Sequence, residues 1–523
     1  MLLKSFVKNQ RSIVFVALMS FFILESLVVV ATGFMKDTNT KNYLGITTPD
    51  FKTHLDIANS HLSDISKIFY DTDIDTEFVK NIMFEAVQTT DKEKLSKLRL
   101  KLLSHLQKTY TYMKKYNVRQ LHFHLPKAVS FLRFHRPNKF GDSLVGVRET
   151  LEYVNKNKTP VSSFEEGRIF NGFRNVFPIY KDDVFVGTVE ISFSFSAMQT
   201  LLSKMDSSSY LFMIKNSVVD KKVFDHERSN YKKSEFKGWD YDKNTLKDNT
   251  QIGLKEIHII NEAIKTQVAP KLKNGELFSI YYRSEQLYEN RSIVVSFSPI
   301  SNIDNKTVAY AISYRFGDFL DIIFGNIKIL FSVLSLLALL LSAIFTIALM
   351  GAHKKQEELH KLATHDALTK ILNRHGANEL IDQKIKEFKR NHEKMSVVFF
   401  DIDLFKRIND TYGHDMGDYV LENIAKIVNS EIRQSDIFAR WGGEEFIVFL
   451  PHTDISDAIG VAEKLRKSIQ RYAFSTVDSV SCSFGVTELR DGDDKNSILH
   501  RVDALLYKAK KAGRNCVVDD SKP

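Results

Sequence analysis

A chain of 523 residues is too long for one ordinary domain, and two or three are expected. Apolar residues make up 43% of it, which excludes a disordered chain. The net charge of +9 is scattered rather than gathered on one face, so no nucleic acid is expected as a partner, and only two cysteines, Cys482 and Cys516, exclude a disulfide framework or a cysteine zinc site.

Residues 13–34 are apolar except for Glu25, and residues 329–350 carry no charge. Each suffices to cross a hydrocarbon core of about 30 Å at about 1.5 Å per residue. A cleaved signal peptide is the alternative for the first, but no clean small-residue cleavage motif follows it. Lys4, Lys8 and Arg11 precede the first span, and His353, Lys354 and Lys355 follow the second. This basic bias predicts a two-pass protein of a bacterial inner membrane, with lipid as a partner and both termini cytoplasmic. Residues 1–12 are then a cytoplasmic start, 35–328 an external region, 351–361 a stalk helix and 362–523 a cytoplasmic domain. Glu25, near mid-membrane, is either tolerated in its neutral form or faces a partner helix in a dimer.

Between the spans, residues 51–115 read as helix, with Leu55, Ala58, Leu62 and Ile65 spaced by three and four. From 120 onward the pattern turns strand-like, and Lys181–Val184 (KDDV) reads as a hairpin turn. A second mixed region covers 208–317. His122, His124, Arg133, His135, Arg148, Glu165 and Arg168 form a dense polar set among strand residues. Alternation puts His122 with His124, and Arg133 with His135, on common faces. Arginines suit carboxylates or phosphates, and paired histidines suit metals; a self-satisfied polar network is the alternative. The layout, and the run 121–192 in particular, resembles double Cache sensor domains, α+β modules outside the membrane. That resemblance implies an unidentified small-molecule ligand, held in the membrane-distal module.

After the second span, Leu359, Leu362 and Ala363 continue a helical stripe as a signalling stalk. Then follow a strand (396–403), a helix (410–433), strand–turn–strand (437–450), a helix (455–472), a strand (479–488) and a helix (495–512). That alternation predicts an α/β domain whose central sheet is covered by helices. Asp401 and Asp403 stand where an apolar strand ends, so their carboxylates emerge there. Glu444 and Glu445 follow Gly442-Gly443, a pair suited to a tight hairpin. Carboxylates from two neighbouring turns suit Mg²⁺, which shares oxygen ligands with phosphates. Phosphoryl or nucleotidyl transfer is the chemistry such a site serves.

The segments LATHDALTKILNR (362–374), FFDIDLFKRINDTYGHDMGDYVL (399–421), RWGGEEF (440–446) and YKAKKAGRN (507–515) resemble the GGDEF family of diguanylate cyclases, over about 160 residues in order. The resemblance implies a cyclase-palm-like fold that condenses two GTP into cyclic di-GMP and pyrophosphate. It implies Mg²⁺, with Mn²⁺ as a substitute, on Asp401, Glu444 and the Ile402 carbonyl, with Glu445 and Glu444 as the catalytic acids. Asn409 and Asp418 would read guanine. Phe405, Lys406, Lys510 and Arg514 would line the phosphates. Arg433 and Asp436, in RQSD, match a site where cyclic di-GMP inhibits its own synthesis. Since each domain carries one GTP, a homodimer is implied. The chain departs from the family at Lys370, where Gly is usual, at His375, where Arg is usual, and at Leu404.

Overall fold

The computed structural model describes residues 10–246, 251–391 and 393–520, and it divides into two units, 23–338 on one side and 339–523 with the first residues on the other. Lys4 and Lys8, two of the basic residues that set the expected orientation, lie outside the described residues.

A helix, α1 (Gln10–Phe69), carries the first apolar stretch on into the region between the two apolar stretches. After a π turn at Tyr70–Ile74 come α2 (Glu77–Val87) and α3 (Lys92–Met113), capped by Thr76 and Asp91. The helical reading of 51–115 thus holds as three pieces. The first sheet comprises β1 (Val118–Leu125), β2 (Val129–Arg133), β3 (Val161–Glu165), β4 (Gly172–Lys181) and β5 (Val184–Phe193), in the order β2-β1-β5-β4-β3 and antiparallel throughout. Helix α4 (Glu149–Asn157) precedes β3. Asp182 and Asp183 close the β4–β5 hairpin with φ of 46° and 60°, the two left-handed residues that a tight two-residue hairpin needs. The alternation of β1 and β5 separates two faces. Leu121, Phe123, Val189 and Ile191 join the apolar core, whereas His122, His124, Thr188 and Glu190 share the other side of the sheet.

Helices α5 (Phe195–Met205) and α6 (Asn216–Lys222) flank β6 (Ser209–Lys215) of a second sheet. That sheet adds β7 (Tyr231–Lys233), β8 (Trp239–Asp242), β9 (Phe278–Tyr282), β10 (Ile293–Ser301) and β11 (Thr307–Phe316), with α7 (Leu254–Asn274) packed against it. Helix α8 (Asp318–Thr364) then runs unbroken through the second apolar stretch and the stalk residues. The most apolar windows of α1 and α8 have mean hydropathies of 2.7 and 2.6, and only 11% of each is buried. Phe22, Val30, Ile344 and Ile347 point outward, unlike the stripe of a soluble core helix. Ser335 Oγ donates to Glu25 Oε1 at 2.8 Å, so the helix that Glu25 faces is α8 of its own chain.

The C-terminal unit is an α/β domain built on the sheet β12-β14-β15-β13-β16-β17. Its strands are β12 (Leu372–Asn373), β13 (Met395–Ile402), β14 (Ile437–Arg440), β15 (Glu445–Pro451), β16 (Cys482–Glu488) and β17 (Val517–Asp519). Strand β13 is central and wholly buried. Val398, Phe400 and Ile402 pack with α11 (His414–Glu431) and α12 (Ile455–Arg471), while Val397 and Phe399 pack with α9 (Arg374–Asn391) and α13 (Lys495–Lys511). The expected helix over 410–433 is two helices, α10 (Phe405–Tyr412) and α11, because Gly413 at φ 83° breaks the run. The first begins five residues early, directly after Leu404 at φ 56°.

Lys370, which stands where the related family has Gly, sits at φ 60°. A side chain there is strained, and its ammonium only bonds the Ala367 carbonyl at 2.7 Å. Lys370→Gly is therefore expected to stabilise the domain by about 0.5–1 kcal/mol, the left-handed penalty less the glycine's added unfolded-state freedom. A denaturation midpoint that falls instead would contradict this account.

Candidate active site

The end of β13 and the β14–β15 turn form the centre of the site. Asp401 lies opposite Glu445 in the antiparallel pairing, and Ile402 N donates to the Glu444 carbonyl at 3.3 Å. The Trp441–Glu444 turn is closed by Trp441 N and Gly442 N, which both donate to the Glu445 carbonyl, at 2.8 and 3.3 Å. Asp401 is 4% exposed. Burial pushes its pKa up to about 6; Lys510 works against that rise, while Glu444 and Glu445 add to it. Glu444 is raised too, by burial and by Glu445. Such crowding of acids is relieved by a cation. The cation present is Lys510, whose Nζ sits 2.8 Å from Asp401 Oδ2. Lys510 is thus placed on the strand-end carboxylate instead of standing free for a phosphate. The donor set is all oxygen and mutually repelling, which fits Mg²⁺.

Asp403 departs from the expectation that both strand-end acids emerge together. It accepts from Ser481 Oγ at 2.7 Å, Ser483 Oγ at 2.6 Å and Asn515 N at 3.0 Å. Two hydroxyls and an amide satisfy it internally, so it ties β13 to β16 and to the C-terminal loop.

Asn409 comes from α10 and Asp418 from α11. The Asn409 side chain lies against Gly417, where an added Cβ would meet Asn409 Oδ1 at 1.9 Å. Asn409 Oδ1 is buried without a partner, and Asp418 beside Gly417 is exposed. A free acceptor beside an open carboxylate can take the donor edge of a base. Gly417→Ala should displace Asn409 and raise KM for the nucleotide by roughly tenfold, about 1.4 kcal/mol, with little change in kcat. Phe405 is buried; Lys406 and Arg514 are exposed, the latter at φ 68°. Arg433 and Asp436 close a turn before β14, with Arg433 N on Asp436 Oδ2 at 2.8 Å and the Arg433 side chain exposed.

Two site residues are not evident from the motifs taken singly. Arg440 donates to the Gly443 carbonyl through Nε at 3.0 Å and Nη2 at 2.6 Å, and its Nη1 meets Asp366 Oδ1 at 3.1 Å. Asp366 follows the end of α8 closely and is further fixed by Thr369. The two motifs that contain them are thereby joined at the acidic turn; only their order in the chain hinted at it.

In the unit of residues 23–338, His122, Arg133, His135, Arg148 and Arg168 line one cavity of about 180 Å³. His124 and Glu165 do not line it. Glu165 is turned inward, accepting from Glu149 N at 2.5 Å and Thr150 Oγ1 at 2.7 Å, which caps α4. Arg133 pairs with Asp142 through both guanidinium ends, at 2.7 and 2.8 Å. The sequence reading missed Arg174 and Glu190, a fully buried ion pair, although a charge inside each of two apolar strands was the available signal.

Residues 363–516 match the family model described as diguanylate cyclase, GGDEF domain, and residues 83–223 match that described as double sensory domain of two-component sensor kinase. Among curated proteins, diguanylate cyclase A of Treponema denticola is 40% identical over 167 residues, 31% of this chain and 45% of that protein. Diguanylate cyclase DgcM of Escherichia coli is 36% identical over 163 residues, 31% of this chain and 40% of that protein. Response regulator PleD of Caulobacter vibrioides is 38% identical over 164 residues, 30% of this chain and 36% of that protein. The chain thus spans less than half the length of these relatives. The solved coiled coil and GGDEF domain of DgcB from Caulobacter crescentus, in complex with c-di-GMP, is 28% identical, covering 34% of this chain and 96% of that one with a TM-score of 0.33.

Proposed function

From a GGDEF domain at residues 363–516 and a double sensory domain at 83–223, we propose that this chain is a membrane-bound diguanylate cyclase governed by an external small-molecule sensor. The observation that carries the reading is the convergence of Asp401, Glu444 and Glu445 on one end of the central sheet, where Asp401 lies opposite Glu445 and Ile402 N bonds the Glu444 carbonyl. Asp401, Glu444 and the Ile402 carbonyl would hold Mg²⁺, which supplies charge neutralisation for a triphosphate. Glu445, with Glu444, takes the proton of the attacking 3′-hydroxyl. Asn409 and Asp418 hold guanine, Phe405 and Lys406 border the phosphates, and Lys510 and Arg514 complete their neutralisation. One domain holds one GTP, so the chemistry requires two protomers, each presenting its nucleotide to the other's α-phosphate. The exposed Arg433, with Asp436, is the inhibitory site for the product.

Helix α8 runs from Asp318 to Thr364 and ends two residues before Asp366, which pairs with Arg440. A ligand that shifts the helix therefore acts on the acidic turn through one named ion pair. The basic residues flanking both apolar helices favour a two-pass inner-membrane protein whose catalytic domain lies in the cytoplasm.

Full-length protein in detergent, with Mg²⁺ present, should convert two GTP to one cyclic di-GMP and two pyrophosphates, and Arg433→Ala should relieve inhibition by added product. Absence of product over a range of protein concentrations would overturn the enzymatic reading. The pH profile follows from Asp401. Proton and cation compete for the same ionised carboxylate, whose pKa lies near 6 without the cation. The Mg²⁺ concentration for half-maximal turnover should thus stay level at high pH and rise about tenfold per unit below about pH 6. A requirement that does not change with pH would contradict the assignment.

A further inference from the structure

On the polar face of the first sheet, three groups with metal-ligating atoms stand close together. His122, His124 and Glu190 each offer one ligand atom, and those atoms all lie within 4.8 Å of one another. The residues are 4%, 0% and 0% exposed. His124 Nε2 and Glu190 Oε2 have no hydrogen-bond partner. Orphaned polar atoms of this kind are costly in a buried place unless something occupies the space between them.

Each group is also held from behind. His124 Nδ1 meets Thr188 Oγ1 at 3.2 Å, His122 Nε2 meets Ser130 Oγ at 2.9 Å, and Arg174 Nη1 donates to Glu190 Oε1. Metal-ligating imidazoles and carboxylates are oriented in this way, and in His124 and Glu190 one atom is bonded while the other is left free. The strand pairing enforces the arrangement, because His122 lies opposite Glu190 and His124 two residues along the same face. Burial keeps both imidazoles neutral, His124 down to about 3. Burial alone would raise Glu190, but Arg174 and Arg148 hold it ionised, at about 2.

We propose that His122, His124 and Glu190 form a binding site for a divalent transition-metal ion of the zinc class, with its remaining coordination position toward the adjoining cavity. Two nitrogens and one carboxylate oxygen are the ligand set of borderline ions, whereas Mg²⁺ and Ca²⁺ take oxygen alone. His122 lines the 180 Å³ cavity, which gives the ion an entry and a place for an exogenous ligand. Among the cations of this face, Arg174 pairs with Glu190, whereas Arg148 Nε and Nη1 have no partner. Those free donors suit a small anion carried on the open position of the ion. The proposal rests on the sensor reading of this module and names the class of species it detects.

The test uses full-length protein in detergent, stripped with a chelator and titrated with Co²⁺. Visible d–d absorption should appear with one site per chain, be displaced by Zn²⁺, and persist in Asp401→Asn, which separates it from the catalytic site. It should vanish in His124→Gln. Thr188→Val, which leaves the ligands in place but frees the His124 ring, should weaken Co²⁺ by about 10–100-fold. Absent absorption, or absorption unchanged in both variants, overturns the metal site. If Co²⁺ fails to bind while acetate raises the melting temperature of the stripped protein, the metal proposal falls and the sensor cavity stands. If neither has any effect, both readings fall.

Discussion

Asp401→Asn is expected to lower cyclic di-GMP synthesis by at least about 10³-fold, more than 4 kcal/mol of transition-state stabilisation, while leaving the domain folded. The amide keeps the shape of the carboxylate but not its charge. It can neither hold a divalent cation on a triphosphate nor balance the ammonium of Lys510, 2.8 Å away. Glu444→Ala should show a similar loss, and the double variant should be little worse than either, because residues that serve one ion act as a unit. Additive losses would mean two independent roles. The check is product formation by chromatography beside a thermal melt; a variant that keeps a tenth of the parent's turnover removes Asp401 from the metal site.

The largest effect on stability is expected from Arg174→Met. Arg174 is 1% exposed and Glu190 is 0% exposed, and each neutralises the other inside the first sheet. Arg174 also donates to Gln120 Oε1 at 3.3 Å and to the Phe170 carbonyl at 3.0 Å. Removing the guanidinium strands a buried carboxylate and should destabilise the sensory unit by about 3–5 kcal/mol. Arg174→Met combined with Glu190→Gln should recover most of that loss, since the stranded carboxylate is removed with its partner. The chain has two tryptophans, Trp239 and Trp441, one in each unit. Fluorescence in a Trp441→Phe background therefore follows the sensory unit alone during denaturation. A double variant as unstable as the single one would assign the loss to packing rather than charge.

Much of the catalytic domain was legible because its signals are local. The apolar run before Asp401, the Gly442-Gly443 turn and the amphipathic helices each announce themselves within ten residues. Asp403 was misplaced because its partners, Ser481 and Ser483, are distant in sequence and offer no pattern to read. The break at Gly413 was missed because apolar periodicity resumes within one turn, and a single glycine does not announce its φ. In the sensory unit the polar face was visible as alternation, but not which of its members are already satisfied. Glu165 lay among the candidates and proves to cap a helix, while Glu190, half of the buried ion pair, was not among them. Alternation tells which side of a sheet a residue occupies; it does not tell whether its bonds are spent.

The ammonium of Lys510 on Asp401 has one last implication. An idle domain already carries its own counter-ion, so free magnesium must evict a tethered competitor for little gain. A cation that arrives chelated to nucleotide brings phosphates to which the displaced lysine can swing across. Metal and GTP should therefore load together, leaving the resting enzyme largely indifferent to the magnesium around it.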